Sequence, residues 1–392
     1  MTATLPRRAF LGARLPPDDD AFTADGVAVA AVVAGGMAAE AGVIAGDRLV
    51  ALSGAPLTTP ARLAAALRGA GAGRDAEVAY RRSDAVHRRV VPVRPWPREA
   101  LPGQQVEHGV LAVPGARLRT IVTVPDDGEP PAAAVLLIQG LACASIEADG
   151  DGGPALAALA AGWAGAGLMT MRLDRRGVGD SDGGACGDVD FTTEVADHRA
   201  ALAALAADPR AAGAPLLVFG HSVGGMIAAL LAAERDLDGV IVAGTSAVPW
   251  LACVEASARR QLALRGVAAA EADARAAAVR ARALSDGLHG RSATYHRQLD
   301  AIALPSAWAA TRARRLLVLR GEHDWVIGDD DVDALVAVVP AGVPVARHVV
   351  AGVDHLLGRH ADRAASLRDY GSGRFDPAIV GTTLAWLVGS PP

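Results

Sequence analysis

One stretch constrains this chain more than any other. Residues 215–231 read Pro-Leu-Leu-Val-Phe-Gly-His-Ser-Val-Gly-Gly-Met-Ile-Ala-Ala-Leu-Leu. The apolar run Leu216 to Phe219 has the content of a short buried strand, and the Ala/Leu-rich run after Gly225 reads as a helix. Between them lies Gly220-His221-Ser222-Val223-Gly224, a Gly-x-Ser-x-Gly. A strand that reverses into a helix this sharply needs glycine where the backbone and its neighbours crowd the turn. Such a turn lifts the serine hydroxyl above the sheet. The next amide, on Val223, falls at a helix start, where N–H groups lack intrahelical partners and can hold an oxyanion. Ser222 is therefore the candidate nucleophile. The alternative is an ordinary strand-to-helix turn that contains a serine.

Composition narrows the chemistry around that serine. The chain has 392 residues, long enough for two or three domains, and half of them are apolar. It contains no lysine and no asparagine, so all 38 basic residues are arginine. A phosphate-binding loop of the Gly-Lys-Ser/Thr type, a lysine Schiff base and a Ser-Lys dyad are excluded. A formal net charge of −5 gives no reason to expect nucleic-acid binding. Cys143, Cys186 and Cys253 are isolated and odd in number, which indicates neither a disulfide framework nor a zinc site. No metal or other cofactor is expected. No apolar run reaches membrane-spanning length. Arg7-Arg8 with Phe10-Leu11 imitates a twin-arginine export signal, but Arg14, Pro16, Pro17 and Asp18 to Asp20 follow where a long apolar segment is required. The expectation is a cytoplasmic protein.

The first hundred residues alternate short strands with two helices. Strands are expected at Val27 to Val33, Arg48 to Leu52, Glu77 to Arg81 and Arg88 to Val93. Met37 to Ala41 makes a helical turn or two, and Thr59 caps a helix that Pro60 opens and Leu67 ends. Pro92, Pro95, Pro97 and Pro102 then stiffen the chain. The run Ala38-Ala39-Glu40-Ala41-Gly42-Val43-Ile44-Ala45-Gly46-Asp47-Arg48-Leu49-Val50-Ala51-Leu52-Ser53-Gly54 carries a resemblance to PDZ domains. The resemblance implies recognition of a peptide C-terminus. Its carboxylate would sit in a loop at Phe10-Leu11-Gly12-Ala13, aided by Arg7 or Arg8. The peptide would lie as an added strand beside the helix from Ala61 to Leu67. The alternative is a PDZ-like module that binds no peptide. The division expected is a PDZ-like domain at 1–95, a proline-rich linker at 96–104 and a second domain at 105–392.

In that second domain, strands and helices alternate with short connections, which argues for a mostly parallel sheet covered on both faces. A strand pair at Val106 to Val113 and Arg117 to Val124 leads in. Ala132 to Ile138 is a continuous apolar strand that ends at Gln139-Gly140-Leu141. A helix from about Pro154 to Ala166 follows, then the strand Leu168 to Leu173, the loop Asp174-Arg175-Arg176-Gly177-Val178-Gly179-Asp180-Ser181 and a helix from Thr193 to Ala207. After the serine stretch comes the strand Gly239 to Ala243. Three markers in this order, Gln139-Gly140, the Arg-x-Gly-x-Gly-x-Ser loop and Gly-His-Ser-Val-Gly, make residues 105–390 resemble the α/β-hydrolase family. The fold expected is α/β, an α/β-hydrolase sheet with helices on both faces and a helical lid, preceded by a small β-rich PDZ-like domain. The family usually has His-Gly where this chain has Gln139-Gly140. The resemblance implies that the Leu141 amide joins that of Val223 in the oxyanion hole, with the bracing of that hole an open question.

A serine hydroxyl needs a base, and the base needs an orienting acid. The resemblance places the acid after the strand Arg315 to Arg320, at Asp324 of Gly321-Glu322-His323-Asp324. It places the base after the strand Arg347 to Val350, at His355 of Gly352-Val353-Asp354-His355. Neighbouring rivals are Glu322 and Asp329 to Asp331 for the acid, and His348 and His360 for the base. An insertion from 246 to 310 has helical spacing, and the family implies a lid. Trp250, Leu251, Tyr295, His296, Leu299 and Trp308 are its candidate pocket residues; the alternative for them is a role in holding the lid together. The function expected is a serine hydrolase acting on a small-molecule ester, thioester or amide, foremost an esterase or thioesterase. The alternatives are a peptidase to which the PDZ-like domain delivers a peptide C-terminus, and a non-catalytic binding protein on a hydrolase scaffold.

Overall fold

In the computed structural model, the described residues are 5–16, 21–71, 73–126, 128–148 and 155–388. Asp18 to Asp20 and the helix start proposed at Pro154 lie outside them. The chain forms two compact units, Leu5–Arg98 and another that begins at Glu99.

The first unit contains β1 (Ala13–Arg14), β2 (Phe22–Thr23), β3 (Gly26–Ala28), β4 (Ala31–Val32), α1 (Met37–Glu40), β5 (Arg48–Leu52), β6 (Ala55–Pro56), α2 (Pro60–Gly69), β7 (Asp75–Arg82) and β8 (Ala85–Pro92). The strand expected over 27–33 is two strands. Val29 donates to the carbonyl of Asp47, and beyond it the chain turns to pair with β1 instead. Thr59 caps α2 as expected, its hydroxyl accepting from the Arg62 amide at 3.2 Å. The Gly46-Asp47 signature also has a physical reason. Asp47 is buried, accepts from the Ile44 amide at 2.9 Å and pairs with Arg82 at 2.7 Å. The bond from Arg82 holds the Asp47 carboxyl below the usual range despite partial desolvation. Met37, Leu49, Leu52 and Leu57 fill the core of this unit. Arg7 and Arg8 are structural here: Arg7 donates to the carbonyls of Trp96 and Pro97, and Arg8 lies 4.0 Å over the Trp96 ring.

The second unit continues with β9 (Gln104–Val113), β10 (Ala116–Pro125), β11 (Ala134–Ile138), α3 (Ala155–Ala164), β12 (Met169–Leu173), α4 (Phe191–Ala206), β13 (Leu216–His221), α5 (Val223–Glu234) and β14 (Gly239–Ala243). Four cap helices follow: α6 (Trp250–Leu264), α7 (Ala269–Ser285), α8 (Ala293–Asp300) and α9 (Leu304–Ala309). The unit ends with β15 (Leu316–Gly321), α10 (Asp329–Val338), β16 (Val345–Val350), β17 (Gly358–Arg359), α11 (Arg363–Arg368), β18 (Arg374–Phe375) and α12 (Ala378–Val388). Eight strands form one sheet in the order β16-β15-β14-β13-β11-β12-β10-β9. It is parallel except where β10 meets β9 and β12. Every residue of β11, β12 and β14 is buried, as continuous apolar runs demand of strands covered on both faces. One core cluster contains Val218, Met226 and Trp308; the other contains Trp163, Phe219 and Ile241.

The stretch read as a linker is more than a tether. Glu99 is buried, pairs with the equally buried Arg172 at 2.7 Å and accepts from the Ala148 amide at 2.9 Å. The reading of isolated cysteines is also corrected, because Cys143 and Cys186 form a disulfide. Their loops leave the carboxyl ends of β11 and β12, which are parallel neighbours, so topology joins cysteines that no spacing motif connects. No helix among the described residues is long and apolar enough to cross a membrane.

Candidate active site

Ser222 stands between β13 and α5 with φ 54° and ψ −123°, a conformation that side chains rarely adopt. The glycines around it are obligatory. A Cβ on Gly220 would lie 2.4 Å from the carbonyl oxygen of Gly224, and one on Gly224 would lie 2.3 Å from that of Ile138. On Gly225 it would meet Thr245 at 2.6 Å. Close packing of strand, turn and helix therefore holds the serine in its strained position.

Three loops at the carboxyl edge of the sheet converge there. Nε2 of His355 is 3.1 Å from Oγ of Ser222, and its Nδ1 is 2.9 Å from Oδ2 of Asp324. The other oxygen of Asp324 accepts from the amides of Val326 and Ile327, both at 2.8 Å. That carboxylate only accepts, so Nδ1 of His355 carries a proton and Nε2 is left to accept from the serine. Burial opposes charge on both partners. The mutual attraction of Asp324 and His355, with the hydrogen bonds to Asp324, outweighs it: the His355 pKa is raised above its ordinary 6.5 and that of Asp324 is lowered. Gly244 makes room for the pair, since a Cβ there would lie 2.9 Å from Nδ1 of His355.

The rivals have other duties. Glu322 accepts from the Gly352 amide, Asp329 pairs with Arg320, and Asp330 and Asp331 pair with Arg260. His348 lies exposed on β16, and His360 pairs with Asp354. His221 packs beside His355 and donates from Nε2 to its backbone carbonyl at 2.7 Å. Burial, then the neighbouring His355, pushes the His221 pKa down to about 4, so it stays neutral and fixes the loop that carries His355.

The loop Gln139-Gly140-Leu141 abuts the serine, with the Cβ position of Gly140 only 3.1 Å from Cβ of Ser222. Leu141 and Ser222 open onto one cavity of about 750 Å³, whose lining is mainly apolar. Here the expectation for the lid needs correction. Trp250 lines the cavity, but Leu251, Tyr295, His296, Leu299 and Trp308 do not. They are buried in the cap and its seat on the sheet: Tyr295 meets Phe191 of α4 edge to face, and His296 accepts from Nε1 of Trp250. From the cap, the cavity is lined by one face of α6, with Trp250, Cys253, Val254, Ser257 and Ala258 at helical spacing, and by Val279 of α7 with Leu288 and His289. Tyr295, His296 and Trp308, on α8 and α9, are buried away from the cavity, where their area packs the cap. Trp325, Tyr370 and Phe375 complete the wall and were not anticipated. Trp325 follows Asp324 directly, and that adjacency was the available signal. Burial pushes the thiol of Cys253 up to about 12, which leaves it no thiolate for chemistry near neutral pH. Among the described residues, no group of three or more His, Cys, Asp or Glu is placed to hold a metal ion.

Fold and sheet order define an α/β hydrolase. The family model described as serine aminopeptidase, S33, matches residues 130–359, and the chain belongs to that family. A PDZ-domain model matches residues 28–82, so the first unit contains a PDZ domain, a peptide-binding module. No curated protein matches the chain. Similar solved structures include Est1E from Butyrivibrio proteoclasticus with bound ferulic acid, at 14% identity and TM-score 0.48, covering 71% of this chain and 99% of that one. The esterase domain of a Rhodothermus marinus protein is 20% identical, with TM-score 0.44, over 68% of this chain and 97% of its own. Dienelactone hydrolase from Anabaena variabilis is 14% identical, with TM-score 0.43, over 72% and 97%.

Proposed function

We propose that the chain is a serine esterase or thioesterase for uncharged acyl substrates. One observation carries the proposal: the hydrogen-bonded relay Ser222–His355–Asp324 opens onto a mainly apolar cavity. His355 takes the proton of Ser222 as its Oγ attacks the acyl carbonyl. Asp324 stabilises the imidazolium that forms. The amides of Val223 and Leu141 hold the oxyanion, each worth about 3 kcal/mol by analogy with a well-measured protease donor. His355 then protonates the leaving group, and water activated by the same histidine releases the acid.

The lining favours this over an aminopeptidase. A free amino terminus in such a cavity requires a carboxylate. Asp354 is the one acidic lining residue among those described. Its oxygens already accept from the amides of Leu356 and Gly358 and from the hydroxyl of Ser366. For the PDZ domain we propose a peptide C-terminus as ligand, its carboxylate at Phe10-Leu11-Gly12-Ala13. Gly12 has φ 67° there, a turn that glycine makes readily. Arg7 and Arg8 are occupied by Trp96 and are left out of that role.

The test is labelling with a fluorophosphonate and turnover of p-nitrophenyl esters of increasing chain length. Ser222 should be labelled, Ser222→Ala should lose both signals, and butyryl or longer esters should be preferred over acetyl. An active chain labelled elsewhere, or an unlabelled and inactive native chain, refutes the reading.

A further inference from the structure

Four consecutive carbonyl groups of the oxyanion loop face two buried guanidiniums. Nη2 of Arg175 donates to the carbonyl of Gln139 at 2.9 Å and to that of Gly140, while its Nη1 donates to Ala142 at 2.7 Å. Nε of Arg291 donates to the carbonyl of Leu141 at 3.1 Å, and its Nη1 to that of Cys186 at 2.8 Å. The carboxylate of Glu194 stands between them, accepting from Nε of Arg175 at 2.7 Å and from Nη2 of Arg291. All three side chains are buried. Arg175 follows β12, Glu194 lies on α4, and Arg291 lies in the cap between α7 and α8.

The geometry of a peptide unit turns this into a statement about the active site. In a trans peptide, C=O and N–H point to opposite sides. The unit between Gly140 and Leu141 has its carbonyl on Arg175, so the Leu141 N–H points away from the guanidiniums. Gly140 packs against Cβ of Ser222, which places the serine beside this peptide. Carbonyls gathered on one side leave successive amides on the other, as in an anion-binding nest. Two guanidiniums against one carboxylate also leave positive charge behind the loop. That charge polarises the held peptides in the sense that strengthens their N–H groups as donors. The Gln139 side chain does not supply the brace: its Nε2 is buried with no hydrogen-bond partner among the described residues.

We propose that Arg175 and Arg291, bridged by Glu194, are positioning residues that aim the Leu141 amide at the oxyanion, and that Arg291 ties this aim to the cap. The proposal rests on the serine-hydrolase reading above.

Arg291→Met and Arg175→Met test it. Each leaves one arginine paired with Glu194, so neither strands a buried charge. Deleting an oxyanion donor outright lowers kcat by about 10²–10³. A donor that stays but loses its aim should cost roughly tenfold to a hundredfold, with KM within about threefold of the parent. The affinity of an aryl trifluoromethyl ketone, which forms a tetrahedral adduct, should fall by the same factor as kcat/KM. Unchanged kcat, an effect on KM alone, or a fall in kcat with undiminished ketone affinity overturns the proposal. If neither variant folds, the cluster is foremost a folding element and the proposal also fails. A parent chain that neither cleaves esters nor takes a fluorophosphonate sinks the serine-hydrolase reading and this one with it. An active parent whose variants keep kcat sinks only this one.

Discussion

Replacing Asp324 with asparagine separates the chemistry of the site from its stability. Asp324 makes two kinds of bond. One oxygen accepts from the amides of Val326 and Ile327, and the other accepts from Nδ1 of His355. In Asp324→Asn the side-chain oxygen can keep both amides, so no buried donor is orphaned. Alanine would strand two donors, at about 1–3 kcal/mol each. The asparagine NH2 must then face Nδ1 of His355, and two donors cannot share one bond. The imidazole answers by carrying its proton on Nε2, facing the serine, where it cannot act as a base. The expected loss is about 10⁴-fold in kcat, equivalent to about 5.5 kcal/mol, with a midpoint of thermal unfolding close to that of the parent. The pH profile supplies a second readout. Attack requires neutral His355, whose pKa Asp324 holds above 6.5 against the effect of burial. Activity of the parent should therefore rise with pH through a value above 6.5. In the variant burial acts without that opposing charge, so the acid limb of the residual activity should move down. Both are read from p-nitrophenyl butyrate hydrolysis between pH 5 and 9. A kcat within tenfold of the parent, or an acid limb that stays in place, refutes the reasoning.

Two further outcomes are expected. Glu99→Gln leaves the guanidinium of Arg172 buried without its counter-charge, and should lower stability by about 3–5 kcal/mol in urea unfolding; a loss below about 1 kcal/mol would show that the stretch after Trp96 is a passive tether. The full chain should bind a fluorescent peptide with a free carboxyl end at least tenfold more tightly than its C-terminal amide, by anisotropy; equal affinities would remove the carboxylate loop at residues 10–13 from peptide recognition.

Much of the site was legible because its parts are locally encoded. Ser222 and Asp324 each follow an apolar run that reads as a buried strand, His355 follows the more polar edge strand β16, and the sheet gathers the ends of these parallel strands on one edge. The PDZ signature was legible for the same reason, since Gly46-Asp47 is a turn whose aspartate caps its own loop through the Ile44 amide. The clamp was not legible. Arg175, Glu194 and Arg291 come from three separate segments, and in a chain whose cations are all arginine none of them stands out. The disulfide escaped notice likewise, because 43 residues separate its halves and only the pairing of β11 with β12 joins their loops. Leu251, Tyr295, His296, Leu299 and Trp308 are candidates by their place in the lid insertion, and most of them are large and hydrophobic. Those properties equally suit packing, and helix rotation about its axis is weakly marked where alanine is abundant.

The bond from Arg291 to the carbonyl of Leu141 crosses from the cap to the loop beside the serine. A cap is the natural part to exchange when a hydrolase is to be redirected to a new substrate. Here a graft that replaces residues 246–310 would discard Arg291 along with the old specificity. Unless the donor sequence returns a guanidinium at that place, the proposed clamp predicts a chimera with a new pocket above a misaligned catalytic floor. On the proposed clamp, one cap residue would couple the choice of substrate to the speed of turnover.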